Sequence, residues 1–480
     1  MTKLKKCISR PAILVFTISV LLTHCSKDAD IVHAPHKAQA TIVVVSGNNQ
    51  IGLGGEQLVN PIVIQISDSE QIPTEDIVVL FEIIKGNGFV NSSKVQTNDA
   101  GISEVLWTIG LGENEIRVSI EDDHYQAQPC YVQARGECYC KIPDQLDDGW
   151  ETASIIEARL DVVKICGVLD EIYNPAYQFL YSLLIIKDGK LVFEEYPNSY
   201  RTRIQPIASI TKSITSALIG IAIDEGFINN VNEHLFDFFP EYNHLRDESK
   251  DRILLKHVLS MTSGFECNEL DIPYSDPRND VNVGMRSGNY IEYVLKKLVV
   301  DEPGTKWNYN SGNTMLLGGI IKNTTGIHAD EFAETRIFTS LGITDYQWAY
   351  QADGLPYTCC SLSLCSRDMA KFGYLYLLGG WWNGEQIVPE EWVNESSVSQ
   401  VTEGHYGYQW WVGAIYGYDF YIAVGYGGQR IINVPELDMI IVHTSTLDNV
   451  EGLPERLELL NVIVKEIIEA AIEENLARVE

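Results

Sequence analysis

Hydrophobic residues recur at two different periods along this 480-residue chain, and the change of period divides it. From residue 40 to 135, short runs such as TIVVV, PIVIQIS, IVVLFEII, GISEVLWTI and NEIRVSI are rich in β-branched residues and separated by Gly, Asn and Asp. Such side chains fit a pleated, half-buried surface and the spacers accept tight turns, so the runs predict a small antiparallel all-β sandwich. Residues 136–150 read as a linker. From 151 to 480 helical and strand-like segments alternate, which predicts an α/β domain.

Within that second region, SLLIIKDGKLVFEEY reads as a hairpin turning at Asp188-Gly189. A long helix is expected to start near Ser209, because Ile214, Ala217, Leu218, Ile221 and Ala222 recur on one face and Asp224, Glu225 and Gly226 close it. YDFYIAV, QRIINVP and MIIVHTS are continuous and apolar, as buried sheet strands are. A final helix is expected over Leu453 to Leu476.

The first ten residues carry Lys3, Lys5, Lys6 and Arg10, and an apolar run from Pro11 to Leu22 follows. That run suits the core of a signal peptide (1–24) and is short for a membrane span, so export to a periplasm or cell surface is expected. Leu21, Leu22, Thr23, His24 and Cys25 resemble a bacterial lipoprotein cleavage box, with His24 where a small residue belongs. Cys25 is therefore the lipidation candidate, a possible membrane anchor, followed by a linker at 25–39.

Composition narrows the partners. A hydrophobic fraction of 45% with 21% charged residues is that of a globular protein. Acidic residues outnumber basic ones 66 to 35, a formal charge of −31 that repels phosphate backbones, and no basic patch offsets it, so nucleic acid is excluded as a partner. Cys130, Cys138 and Cys140 form a cluster suited to a local disulfide in an oxidising compartment. Cys359, Cys360 and Cys365 sit in an apolar stretch, and both groups read as buried thiols or bridges in preference to a metal site.

The chemistry centres on Ser209-Ile210-Thr211-Lys212, the one Ser-x-x-Lys in the chain. At a helix start, positions i and i+3 share a face, so hydroxyl and amine meet as nucleophile and base. The surrounding PIASITKSITSALIGIAIDEGFI is apolar and small, and it offers Lys212 no nearby acidic residue for an ordinary surface ion pair.

Two resemblances extend this reading. GNGFVNSSKVQTNDAGISEVLWTIG, with its turn at Thr97 to Gly101, resembles the bacterial immunoglobulin-like repeats of invasin-type surface proteins. The stretch from Tyr181 to Thr446 resembles the serine beta-lactamase-related superfamily, which includes AmpC-type beta-lactamases, D-alanyl peptidases, esterases and aminohexanoate-oligomer hydrolases. The residues that carry it are GKLVFEEY, SITKSITSALIGIAID, HVLSMTSGF, EPGTKWNYNSGNTMLLGGII, SRDMAKFGYLYL, YGYQWW and YIAVGYGGQRIINVPELDMIIV, in the family's order. The resemblance implies a beta-lactamase/transpeptidase-like fold, an antiparallel sheet flanked by helices plus an all-helical region.

It also implies roles. Ser209 and Lys212 match the nucleophile and its lysine, and Tyr309 matches the tyrosine of a Tyr-x-Asn box that here reads Tyr309-Asn310-Ser311. A second textual match, Tyr196-Pro197-Asn198, precedes the serine and reads as a loop decoy. Tyr309 is expected to relay protons with a lowered pKa. Ala423-Val424-Gly425 stands where Lys-Thr-Gly or His-x-Gly is usual, which removes a cation but leaves the backbone N–H groups of Ser209 and Tyr426 for an oxyanion. Gly425 is expected to allow close approach of substrate, with Asn310 and Ser311 also lining the site. The implied activity is an esterase or amide hydrolase acting on a small molecule through an acyl-enzyme, with no cofactor. The competing class is a surface adhesin or cell-wall-binding protein with a degenerate hydrolase domain. Specificity is expected in the loops Asn268 to Asn289 and Tyr346 to Tyr357.

Overall fold

The alternation in the N-terminal third folds into two facing sheets. The computed structural model describes residues 37–137, 140–401, 405–447 and 452–476, so the leader, Cys25 and Cys138 lie outside the described residues. One sheet runs in the order Tyr125–Gln126, Ala38–Ser46, Ile62–Asp68, Ile102–Val105; the other runs Gln50–Leu53, Cys130–Glu137, Gly112–Glu121, Val78–Lys85, Lys94–Gln96. Alternate residues from both, among them Ile64, Ile66, Val79, Phe81, Ile116 and Val118, bury a core around Trp107. Two edge pairings are parallel, correcting the purely antiparallel expectation: Ala38–Gln39 with Tyr125–Gln126, and Gln50–Leu53 with Ala134–Glu137. Both join segments far apart in sequence, where no tight hairpin dictates direction.

The second region is built on a seven-stranded sheet. Its strands are β1 (Glu151–Thr152), β2 (Leu180–Lys187), β3 (Lys190–Glu195), β4 (Trp411–Ile415), β5 (Tyr418–Gly425), β6 (Gln429–Val434) and β7 (Met439–Ser445), in the spatial order β1-β3-β2-β7-β6-β5-β4. All neighbours are antiparallel except the short β1. Asp188 and Gly189 both adopt positive φ, 50° and 76°, the twist that joins β2 tightly to β3.

Helices cover both faces. α1 (Val162–Ile172) and α5 (Leu453–Leu476) pack with Leu183, Ile185, Ile432 and Ile441 on one face. On the other face α2 (Thr211–Asp224), α3 (Ser311–Thr325) and α4 (Ser366–Leu377) share a larger core with Leu184, Ile186, Ile431 and Ile440. α2 is buried on every side from Thr211 to Ala222, not along the single stripe that its periodicity predicts. Small polar residues make this possible: Ser213 Oγ donates to the Gln409 carbonyl at 2.7 Å, and Thr215 Oγ1 to Thr358 at 3.0 Å. Gly220 lets Trp392 lie against the helix, since a Cβ there would stand 2.3 Å from the indole.

The cysteines divide. Cys166 on α1 is disulfide-bonded, with Cys140 Sγ 3.8 Å away, whereas Cys130 is a free thiol, so the local cluster does not close on Cys130. Cys359, Cys360 and Cys365 are thiols packed in the core region. No helix of the described residues is long and apolar enough to cross a membrane.

Candidate active site

Ser209 stands at the end of a strained approach. Gln205–Pro206 pairs with Ser363–Leu364, Ile207 N–H donates to Leu362 at 2.9 Å, and Ala208 then takes a φ of 50°, a left-handed conformation that a non-glycine residue seldom adopts. The single turn Ala208–Ile210 follows and leads into α2. Ser209 thereby stays partly exposed while its neighbours Ala208 and Ile210 are buried.

Lys212 lies one helical turn on and only 1% exposed. Its Nζ donates to Ser209 Oγ at 3.1 Å, to Ser311 Oγ at 2.9 Å and to the Cys359 carbonyl at 2.7 Å. The Ser311 hydroxyl and the Cys359 carbonyl can take the two protons of a neutral amine, which leaves the nitrogen lone pair for the Ser209 proton. The packing of α2 on α3 brings Ser311, the first residue of α3, across to it.

Asn310 occupies the position just before that helix, and its Oδ1 accepts from Gly312 N–H at 2.8 Å. It is a buried helix cap, its amide oxygen holding the first turn of α3. Ser311 holds the place beside Lys212 that the shifted box leaves to it.

Tyr309 is packed among Trp307, Tyr406 and Trp411, with the Trp411 ring stacked 5.8 Å away, yet its side chain reaches Ser209 and its ring lies 5.1 Å from Lys212 Nζ. Its hydroxyl is pushed well above the usual phenol range, first by burial and then by the nearby Glu269 carboxylate, with Ser209 opposing. The expected lowered pKa is therefore wrong. Sequence spacing placed a cation beside the phenol but carried no information on burial, which is the larger effect.

Glu269, which sequence reasoning did not single out, is 2% exposed at the centre of this cluster. Its carboxylate accepts from Ser311 Oγ at 2.7 Å, from Ser311 N–H at 2.5 Å and from the Tyr274 hydroxyl at 2.9 Å. Tyr274 in turn leans edge-on against Tyr426, ring centres 5.2 Å apart. Glu269 and Tyr274 belong to the loop Asn268 to Asn289, expected to set specificity. Two acidic residues, Glu266 and Glu269, follow HVLSMTSGF within four positions, and nothing periodic distinguished the second.

β5 runs beside the Ser209 turn and ends at Gly425. A Cβ on Gly425 would stand 2.3 Å from the Ile207 carbonyl oxygen, so the chain leading to Ser209 itself demands a glycine there. Tyr426, Gly427 and Gly428 make the turn to β6, with φ of 80° and 97° at the glycines. Ala423 is buried on the inner face of the same strand.

Tyr196 and Asn198 take no part. Tyr196 donates to Glu194 at 2.6 Å and Asn198 to the Leu180 carbonyl at 3.0 Å.

This geometry has relatives. The beta-lactamase family model matches residues 181–461, more than half of the chain. The chain belongs to the beta-lactamase family. Like that family's members it is a serine hydrolase. It is 26% identical over 291 residues to 6-aminohexanoate-dimer hydrolase of Paenarthrobacter ureafaciens, covering 55% of this chain and 71% of that one. It is 26% identical over 212 residues to lovastatin esterase of Penicillium rubens, covering 40% and 51%. D-amino acid amidase from Ochrobactrum anthropi SV3 shares the fold at a TM-score of 0.50 and 16% identity, over 65% of this chain and 99% of that one.

Proposed function

We propose that this family member is an exported esterase or amide hydrolase that works through an acyl-enzyme on Ser209. The observation that carries the reading is the contrast at Ser209, a partly exposed hydroxyl held 3.1 Å from a wholly buried lysine. Ser209 Oγ attacks the substrate carbonyl, and its proton passes towards Lys212, the nearest amine. Backbone N–H groups of Ser209 and Tyr426 hold the oxyanion. Tyr309, kept protonated by burial and by Glu269, supplies the proton as the ester or amide bond breaks, and water then releases the acyl group.

Similarity to a hydrolase of an amide dimer and to an esterase supports acyl transfer to water. Ala423 and Ser311 support a substrate other than a penicillin, because no cation stands on β5 to hold a lactam's carboxylate. The basic and apolar leader supports export.

The test is turnover of a p-nitrophenyl ester series beside a chromogenic cephalosporin. The proposal expects the esters to be the better substrates and Ser209→Ala to abolish their turnover. Undiminished turnover by Ser209→Ala refutes it.

A further inference from the structure

On the face of the sheet covered by α5, directly behind the end of β5, lies a hollow of about 460 Å³. Its walls are apolar: Phe420, Ile422 and Val424 come from β5, Ile432 from β6, and Val464 and Ile468 from α5. One side chain does not suit such walls. Arg430 lines the hollow opposite Val424 on β5, and its guanidinium is largely buried. Nη1 donates to Asn461 Oδ1 at 2.7 Å, but the buried Nε meets no acceptor. Among the described residues no carboxylate pairs with it.

The next strand offers no counter-charge either. His443 faces Arg430 across β6 and β7, gives its Nδ1 proton to the Gly428 carbonyl at 2.8 Å and leaves a buried Nε2 without a partner. Burial, and then the Arg430 charge, hold that imidazole neutral by lowering it to about 3. At the mouth, Lys465 adds a second cation; Glu469, the carboxylate beside it, is engaged by Lys164 at 3.1 Å and by Tyr416. A buried cation without an anion is costly, and an apolar hollow with one fixed polar group is the usual form of a ligand site.

We propose that this hollow binds an amphiphilic carboxylate, its acyl chain along Phe420, Ile422 and Val464 and its carboxylate on Arg430. Trp411, which lines the hollow and stacks on Tyr309 at 5.8 Å, gives a fluorescence reporter of occupancy. The site does not depend on what Ser209 does.

Decanoate below its micellar concentration, titrated into the full-length protein by calorimetry and tryptophan fluorescence, tests the site, with decanol and decyltrimethylammonium as comparators. The expected result is one decanoate per chain, retained after Ser209 is blocked with a phosphonate and preferred to decyltrimethylammonium. Arg430→Gln should weaken decanoate about tenfold while leaving decanol unchanged, and Val464→Trp should remove both by filling the hollow. Absence of decanoate binding, a preference for the cationic amphiphile, indifference to both substitutions, or loss on blocking Ser209 would each overturn the proposal. Should Arg430→Gln fail to fold, Val464→Trp and the comparison of headgroups decide.

Discussion

Glu269 and Ser311 are bonded twice, through the hydroxyl at 2.7 Å and the backbone N–H at 2.5 Å, and the same hydroxyl accepts from Lys212. A carboxylate is thus held one hydroxyl away from the lysine and close enough to Tyr309 to raise its pKa. Glu269→Gln preserves the shape and removes the charge. We expect kcat to fall by roughly 10- to 100-fold with little change in KM. Loss of the negative charge also lets Tyr309 ionise at lower pH, so an alkaline limb in kcat should move downward. A variant with unaltered kcat and pH profile would show that the carboxylate only braces the loop.

Gly425 bears on Ser209 through the Ile207 carbonyl. Gly425→Ala should destabilise the protein by roughly 1–3 kcal/mol, because backbone must shift to admit the methyl group, and ester turnover should fall with it. Gly167, within α1, has nothing within 4 Å of an added Cβ, and Gly167→Ala should stabilise slightly. Thermal unfolding of the two variants checks the contrast; equal behaviour would mean that contact with Ile207 is not what fixes the glycine.

His443 makes stability depend on pH. Its folded pKa, about 3, lies below the unfolded value near 6.5, so the unfolded chain binds the extra proton as the pH falls. The contribution is fully present above pH 6.5 and is lost as the pH falls towards 3. Between pH 6.5 and 5, before most carboxylates titrate, His443 alone should cost about 1.5 kcal/mol. Urea unfolding of the protein and of His443→Gln at the two pH values measures it, and a slope unaffected by the substitution would contradict the assignment.

Much of this arrangement was legible in the sequence because local chemistry decides it. Asp188-Gly189 accepts two positive φ values, β-branched alternation makes the sandwich strands, and Ser209 and Lys212 are one turn apart on one helix. What was not legible depends on burial and on distant segments meeting. The elevated Tyr309 pKa follows from enclosure by Trp307, Tyr406 and Trp411 together with Glu269, which comes from a loop without period. That Asn310 caps a helix depends on α3 beginning one residue later, which its neighbours in sequence do not show. Burial of α2 on every side required knowing that Trp392 would lie over Gly220.

The central claim is that Ser209 is the acylated nucleophile. Intact-protein and peptide mass spectrometry after a brief exposure to an activated ester or a fluorophosphonate tests it most directly. The account predicts one adduct per chain, located on Ser209 and absent from Ser209→Ala. An unlabelled Ser209 in protein that still turns over the ester at its normal rate would contradict it.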